Sequence, residues 1–226
     1  MSTTLSQRRL PRLVRVTLLA LLAGGLFATV AVAATINGTN GPDLLIGTSK
    51  ADNIKGFDSS DVIFANEKND TVSGGGGDDL IHGGSGSDNN LSGDDGNDTI
   101  FGDGFNVACG PGGTSTNYLL YCELDNGFCG NDKIDGGSGN DDLHGGCGND
   151  KIDGGSGDDT INGDSGNDNI VGGTGTDTID GGSGNDSINT RDGTKDFISC
   201  GGGNDTVKAD KIDVIVDGTC EKVFRR

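Results

Sequence analysis

The sequence has no tryptophan, one methionine and three prolines, and aromatic residues make up only 4% of its 226 positions. Basic side chains are also few, with 16 lysines and arginines against 35 aspartates and glutamates. A chain with this excess of negative charge repels phosphate, which excludes a nucleic-acid-binding protein. Leu, Ile, Val and Phe form about a fifth of the chain beyond residue 33, a composition that borders on that of disordered proteins.

Glycine, in contrast, is abundant, with 44 residues. Each glycine costs about 1 kcal/mol relative to alanine in a helix interior, so the composition argues against a conventional helical domain. The acids are unevenly divided as well, because only three of them are glutamates. A chain so rich in glycine and aspartate, and so poor in apolar side chains, is either disordered or dependent on a cation for its fold.

Residues 1–33 have the pattern of a secretory signal peptide. Four arginines and no acid precede an apolar run over 16–32, and Ala31 and Ala33 form a small-residue cleavage motif. A membrane anchor is the alternative, since an uncleaved run of this length nearly spans a bilayer, but the cleavage motif favours removal. The remaining chain has 12 basic against 35 acidic side chains, a formal charge of −23, and no second apolar run long enough to cross a membrane. We therefore expect a soluble, secreted, extracellular protein without a membrane span.

An aspartate recurs in a nonapeptide repeat through most of the chain, with an aliphatic residue two positions after it. Only at Asp88 does the aliphatic residue, Leu91, come one position late. We number each nonapeptide so that the aspartate stands at position 6 and the aliphatic residue at position 8. The best-formed units read GGSGNDDLH over 136–144 and GGSGDDTIN over 154–162. The aspartates in this phase are Asp43, Asp52, Asp61, Asp70, Asp79, Asp88, Asp98, Asp132, Asp141, Asp150, Asp159, Asp168, Asp177, Asp186, Asp196 and Asp205.

This pattern resembles the RTX, or haemolysin-type, calcium-binding nonapeptide repeats, over roughly residues 38–208. The resemblance implies an all-β fold, a parallel β-roll in which each nonapeptide makes half a turn, with a six-residue loop and a three-residue strand. It also implies several calcium ions between the loops of successive turns, held by backbone carbonyls and the position-6 aspartates. The chemistry of the residues agrees, because calcium takes six to eight oxygen ligands and glycine exposes its carbonyl without a Cβ.

The ligands implied by the resemblance are the position-6 aspartates of the well-formed units and the glycines at positions 1 and 4. The aspartates are Asp79, Asp88, Asp98, Asp132, Asp141, Asp150, Asp159, Asp168, Asp177, Asp186 and Asp205. The glycines are Gly136, Gly139, Gly145, Gly148, Gly154, Gly157, Gly172, Gly175, Gly181 and Gly184. Because stacked carboxylates repel one another and the aliphatic core is thin, we expect the roll to be largely disordered without calcium.

The quality of the repeat divides the chain into segments. Residues 38–73 are predicted to form a cap without good calcium sites, because the units over 47–73 keep the aspartate but lose the glycines at positions 2 and 4. The first and second calcium-binding arrays are predicted over 74–101 and 127–208. Between them, 102–126 interrupts the repeat, and 209–226 is predicted to form a C-terminal cap with a closing strand.

Six cysteines, all beyond residue 33, fit three disulfides in an oxidising compartment. Cys129 and Cys147 both stand at position 3 of their units and are separated by two nonapeptides, one full turn of the implied roll. Stacked loops would place their Cα atoms within the range that a disulfide needs. The remaining pairs are then Cys109–Cys122, inside the insertion, and Cys200–Cys220, which would fasten the tail.

The insertion over 102–126 has two interpretations. It contains Tyr118, Tyr121 and two cysteines, and could display a loop to an unknown cell-surface or matrix partner. Alternatively, it is a tolerated bulge between two arrays, stapled by its own disulfide. We favour the bulge, although the insertion is the one obvious candidate for recognition.

No catalytic constellation stands out in the sequence, and we expect no enzyme. The serine-protease-like GDSG at 163–166 falls in repeat phase, and His82 and His144 both occupy position 9, which faces outward in the implied fold. We therefore expect a secreted calcium-binding repeat protein with a structural role. The alternatives are a surface-recognition module of the adhesin or ice-binding type and an accessory protein related to haemolysins.

Overall fold

The computed structural model of the chain describes residues 33–103, 130–216 and 218–226. These three ranges contain nineteen β-strands and no helix. The predicted signal peptide up to residue 32, and the predicted insertion from residue 104 onward, lie outside the described residues.

Consecutive strands alternate between two parallel sheets. The ten-stranded first sheet contains β1 (Thr35–Asn37), β3 (Asn53–Asp58), β5 (Thr71–Gly76), β7 (Asn90–Asp95), β9 (Lys133–Ser138), β11 (Lys151–Asp153), β13 (Asn169–Val171), β15 (Ser187–Asn189), β17 (Thr206–Ala209) and β19 (Lys222–Arg225). The nine-stranded second sheet contains β2 (Leu44–Ile46), β4 (Val62–Glu67), β6 (Leu80–Ser85), β8 (Thr99–Asp103), β10 (Asp142–His144), β12 (Thr160–Asn162), β14 (Thr178–Asp180), β16 (Phe197–Ser199) and β18 (Val214–Ile215).

Each strand pairs with the strands one turn before and one turn after it. Ile152, for example, is in register with Ile134 and Ile170, the position-8 residues two nonapeptides before and two nonapeptides after it. Two nonapeptides therefore make one turn, with one strand in each sheet. This confirms the parallel β-roll predicted from the repeat.

The core is the row of position-8 side chains between the two sheets. Because side chains alternate faces along a strand, positions 7 and 9 face outward when position 8 faces inward. All of these aliphatic side chains have at most 2% of their surface exposed. They are Leu45, Ile54, Ile63, Val72, Ile81, Leu91, Ile100, Ile134, Leu143, Ile152, Ile161, Ile170, Ile179, Ile188, Ile198 and Val207.

Two irregularities in the sequence leave this register intact. Leu91, which comes late in its unit, still pairs with Val72, so a slightly longer turn absorbs the slip. On its other side, Leu91 pairs with Ile134, and Ile100 pairs with Leu143, although the insertion separates both pairs in the sequence. The roll therefore continues directly across the segment that separates the two arrays.

The C-terminal end is closed by β18 and β19. The predicted closing strand is present but short, because Ile212 and Val216 lie outside β18 and are exposed. β19 pairs with β17, with Val223 opposite Val207. The predicted Cys200–Cys220 disulfide is confirmed, with Cα atoms 5.2 Å apart, and it joins the tail to the last nonapeptide.

The two other predicted disulfides remain predictions. Cys109, Cys122 and Cys129 lie outside the described residues, whereas Cys147 lies in the loop between β10 and β11.

Candidate metal centre

The position-6 aspartates lie stacked inside the roll, at the end of each loop. All sixteen have no more than 7% of their surface exposed. The set includes every aspartate predicted as a calcium ligand. A row of buried carboxylates is costly unless each is hydrogen-bonded or bound to a cation.

In every one of these aspartates except Asp43, one carboxylate oxygen belongs to a ladder of hydrogen bonds between turns. The backbone N–H of Asp132 donates to Oδ1 of Asp150 over 2.8 Å, and the N–H of Asp150 donates to Oδ1 of Asp168 over 2.8 Å. The ladder crosses the gap between the arrays, because the N–H of Asp88 donates to Oδ1 of Asp132 over 2.6 Å. Oδ1 therefore holds each carboxylate in place against the preceding turn.

The other oxygen, Oδ2, is buried without a hydrogen-bond partner in fourteen of these aspartates. Such orphaned buried oxygens call for an explanation, and an ion is one. The fourteen are Asp61, Asp70, Asp79, Asp88, Asp98, Asp132, Asp141, Asp150, Asp159, Asp168, Asp177, Asp186, Asp196 and Asp205. Asp61, Asp70 and Asp196 were not among the predicted ligands, although their place in the nonapeptide phase would have identified them.

The position-1 glycines leave room for these oxygens. A Cβ added to Gly145 would lie 2.6 Å from Oδ2 of Asp150 and 2.7 Å from the carbonyl oxygen of Gly163, one turn later. The space beside the Gly145 Cα is therefore bordered by a carboxylate oxygen and a carbonyl oxygen. Oδ2 of the unit's own aspartate borders the same space at the other predicted position-1 glycines, Gly136, Gly154, Gly172 and Gly181, and at all of these except Gly172 a carbonyl oxygen of the next turn borders it as well.

The position-4 glycines are needed for the backbone conformation. Gly148, for example, has φ of 137°, in the region that other residues rarely adopt. The other predicted position-4 glycines share this conformation: Gly139, Gly157, Gly175 and Gly184. Each turns the loop back toward its aspartate.

Several loop carbonyls are available as ligands. Between residues 145 and 189, the carbonyls of positions 2, 3 and 6 accept N–H groups from neighbouring turns, whereas those of positions 1 and 4 accept no backbone N–H. The second array therefore offers two carbonyl oxygens per loop in addition to Oδ2. This is the donor chemistry that calcium takes in proteins.

Burial raises the pKa of several of these carboxyl groups in the metal-free roll. Desolvation raises the pKa of Asp159 and of Asp168 to about 7, and the carboxylates one turn away act in the same direction. Desolvation likewise raises the pKa of Asp70 and of Asp98, before the insertion, to about 7. A divalent cation would relieve the same cost by pairing with the charged form.

The donor set fits an oxygen-binding ion and not a transition metal. Within residues 33–103, 130–216 and 218–226, no three His, Cys, Asp or Glu side chains cluster as a metal site. The oxygens that border these loops are carboxylate and backbone carbonyl oxygens, the hard donors that calcium takes and that softer transition metals do not prefer.

One loop of the array is assembled from two distant parts of the sequence. A Cβ added to Gly102 would lie 2.7 Å from Oδ2 of Asp132, so Gly102 serves as position 1 of the unit that ends with Asp132 and β9. In the sequence, position 1 counted back from Asp132 is Gly127, where the predicted second array begins. The described residues of this loop are thus Gly102 and Asp103, before the insertion, and those from Gly130 onward.

A stack of four rings on the outer face of the second sheet was not predicted. Phe64, His82, Phe101 and His144 lie at position 9 of successive turns, with neighbouring ring centroids 4.8–4.9 Å apart and rings nearly parallel. The shared position 9 could have revealed it. Burial lowers the pKa of His82 to about 4, so this ring is neutral in the stack.

No helix in the described part of the chain is long and apolar enough to span a membrane.

Comparison with known families identifies the repeat. The family model of four copies of the RTX calcium-binding nonapeptide repeat matches seven overlapping stretches, which together cover more than half of the chain. They are residues 37–67, 56–89, 87–106, 130–152, 135–170, 162–194 and 171–207. No curated protein matches the chain.

Proposed function

Because the chain belongs to the RTX calcium-binding nonapeptide-repeat family, we propose that it is a secreted protein whose β-roll folds on binding calcium. Its role is structural and extracellular, without catalytic activity. The observation that carries this proposal is the row of fourteen buried carboxylate oxygens without hydrogen-bond partners. Each lies beside loop backbone that supplies further oxygens.

The chain's own residues prepare the site for an ion. The N–H of Asp132 fixes Oδ1 of Asp150, which leaves Oδ2 of Asp150 facing the space beside Gly145. Calcium, when bound, supplies the positive charge that the stacked carboxylates need in order to be buried in their ionised form. Metal binding then contributes directly to the free energy of folding.

Calorimetric titration and circular dichroism of the purified protein test this proposal. In metal-free buffer at neutral pH we expect a largely disordered spectrum, and in millimolar calcium a β spectrum with several ions bound per chain. Magnesium should be a poor substitute, because it demands a smaller octahedral site and dehydrates reluctantly. Asp150→Asn should bind fewer calcium ions than the wild type. A complete β spectrum at neutral pH without metal would contradict the proposal.

The proposed secretion rests on the sequence of residues 1–33 and is supported by the Cys200–Cys220 disulfide, since disulfides persist in oxidising compartments. Expression of the full chain, followed by mass spectrometry of the culture supernatant, tests it. We expect a released protein that begins at Ala34 and has its cysteines oxidised. Retention in the cell with residues 1–33 intact would contradict secretion.

A further inference from the structure

In the first two loops of the roll, hydrogen-bond donors of the protein itself occupy Oδ2 of the position-6 aspartate. Oδ2 of Asp43 accepts hydrogen bonds from the N–H and the hydroxyl of Thr39, at 2.5 and 2.9 Å. Oδ2 of Asp52 accepts the same two hydrogen bonds from Thr48, at 2.5 and 2.9 Å. These two aspartates are therefore absent from the fourteen with an orphaned Oδ2.

The backbone changes at the same boundary. Thr39 and Thr48 stand at position 2 of their units and do not have positive φ. In the next two units, Phe57 and Asn66 at position 2 both have φ of 83°, as the position-2 glycines of later loops have positive φ. The loops ending at Asp43 and Asp52 thus have a conformation of their own, in which the position-2 N–H reaches the carboxylate.

Loss of the loop glycines does not explain this boundary. The unit with Phe57 and Ser59 at positions 2 and 4 is as poor in glycine as the unit with Thr48 and Lys50. Nevertheless, Oδ2 of Asp61 is orphaned, as it is throughout the glycine-rich array. What separates the two kinds of loop is the threonine at position 2.

At the C-terminal end of the roll, a buried aspartate is likewise satisfied by hydrogen bonds from protein groups. Oδ2 of Asp213 accepts hydrogen bonds from the buried hydroxyl of Thr190 at 3.0 Å and from the N–H of Asp210 at 2.6 Å. Oδ1 of Asp213 accepts the N–H of Asp196, at 3.2 Å, and so ends the ladder of that stack. In the other stack, Oε2 of Glu221 accepts the N–H of Asp205, at 2.8 Å.

We propose that Thr39, Thr48 and Thr190 take the place of calcium at the two ends of the roll, so that both ends form metal-independent caps. The metal-binding array then runs from Asp61 to Asp205 and includes the glycine-poor loops that end at Asp61 and Asp70. This inference rests on the proposed calcium-dependent folding. Its physical basis is that hydrogen bonds stabilise a buried carboxylate as a cation does, and here they occupy Oδ2, the oxygen that is orphaned in the metal-binding loops.

Calcium counting in two matched variants tests the position of the boundary. Asp52→Asn and Asp61→Asn each alter one glycine-poor loop, in consecutive nonapeptides. We expect calorimetry and elemental analysis to find the wild-type number of ions in Asp52→Asn and fewer in Asp61→Asn. Loss of ions in Asp52→Asn, or an unchanged number in Asp61→Asn, would overturn the inference.

Amide hydrogen exchange in metal-free buffer tests the caps separately from calcium binding. We expect the amides of residues 34–55 to exchange more slowly than those of 139–189. Replacing Thr39 and Thr48 with valine should accelerate exchange over 34–55, whereas replacing both with serine should preserve the protection. Equal exchange in the valine and serine variants would overturn the inference. A wild type that binds no calcium would instead overturn the proposed function, and exchange would still decide whether the threonines form a cap.

Discussion

The roll before the insertion and the roll after it reach the same register with different loops. After the insertion, positions 2 and 4 are mostly glycine, whereas before it Phe57, Ser59, Asn66 and Lys68 adopt positive φ at these positions. Strands still pair two nonapeptides apart in both regions, as Ile54 with Val72 and Ile152 with Ile170. The comparison shows that the aspartate and the aliphatic residue specify the roll, while glycine lowers the strain of its loops.

The outer faces of the two regions also differ. On the second sheet before the insertion, position 9 carries Phe64, His82 and Phe101, and their rings stack. After His144, the same position carries polar residues such as Asn162 and Asp180. The first region therefore gains stability from a row of stacked rings outside the core, which in the second region continues only to His144. We expect the second region to depend more on calcium.

Acidification of the metal-free protein should have the largest effect, and it tests what the two regions share. The carboxylates of Asp70 and Asp98 before the insertion, and of Asp159 and Asp168 after it, have a pKa raised from the ordinary 3.8 to about 7. Between about pH 4 and about pH 7, these carboxyl groups keep their protons in the folded chain but have lost them in the unfolded chain. The free energy of unfolding therefore decreases as the pH rises from about 4 to about 7.

Circular dichroism in metal-free buffer checks this, with more β structure expected at pH 5.0 than at pH 7.5. The calcium affinity should change in the opposite direction and fall on acidification, because protons compete for the same oxygens. His144→Gln is the control, since the hydrogen bond with Asp164 raises the pKa of His144, which would also favour folding at low pH. Identical spectra at the two pH values would contradict the burial of these carboxylates.

Two loop positions can be compared through one glycine in each region, Gly157 at position 4 and Gly76 at position 3. Gly157→Ala should cost roughly 3 kcal/mol or more, because the residue has φ of 134° and its Cβ would collide with the carbonyl oxygen of Gly139. Gly76→Ala should change stability by less than about 0.5 kcal/mol, since its φ is ordinary and the nearest atom to the new Cβ, Oδ1 of Asp58, is 3.9 Å away. Denaturant unfolding in saturating calcium measures both. Equal losses would show that glycine is no more necessary at position 4 than at position 3.

The ring stack can be interrupted at Phe101, the last ring before the insertion. Phe101→Ala breaks the contacts with His82 and His144, at 4.9 and 4.8 Å between centroids, and should cost about 1–3 kcal/mol. Asp180→Ala, at the same position after the insertion, is the matched control and should cost less than about 0.5 kcal/mol. Thermal unfolding in calcium gives both values. Similar losses for the two variants would show that the outer face contributes equally in both regions.

The sequence predicted the roll because its determinants are periodic. The nonapeptide phase alone places Ile152 inward and Asp150 at the end of a loop, and even the late Leu91 reaches its place in the core. The same phase contains Asp61 and Asp70. The prediction of calcium ligands required the whole motif, and it left these two aspartates out because their loops lack glycine at positions 2 and 4. The orphaned oxygens depend on backbone conformation, which the motif does not determine in glycine-poor loops.

Features outside the phase were missed for other reasons. β19 follows no nonapeptide, and its pairing with β17 depends on the Cys200–Cys220 disulfide and on contacts at the end of the roll. The role of Gly102 could not be read from spacing, because the residue that completes its loop lies beyond the insertion. Thr39 and Thr48 form hydrogen bonds that depend on a change in φ at a single position.

Removal of the insertion should have the smallest effect of all. Deleting residues 104–128 joins Asp103 to Cys129 and gives the continuous nonapeptide GDCGNDKID, which matches GGCGNDKID over 145–153 at all but one position. The geometry supports this junction, because Gly102 already borders Oδ2 of Asp132. The strands on either side also pair already, and the deletion brings Leu91 and Ile134 to the two-nonapeptide separation of a regular turn. Cys109 and Cys122 are removed together, so no cysteine of a predicted pair is left alone.

We therefore expect the deletion variant to bind the wild-type number of calcium ions and to melt at the same temperature or slightly higher, because closing a shorter loop costs less entropy. Deleting 104–130 is the control: it takes two further residues from the same loop, including Gly130, and leaves it too short to complete the turn. That variant should lose calcium and melt at a lower temperature. If the deletion of 104–128 behaved like this control, the insertion would be part of the roll's stability, and the two regions would not be one continuous array.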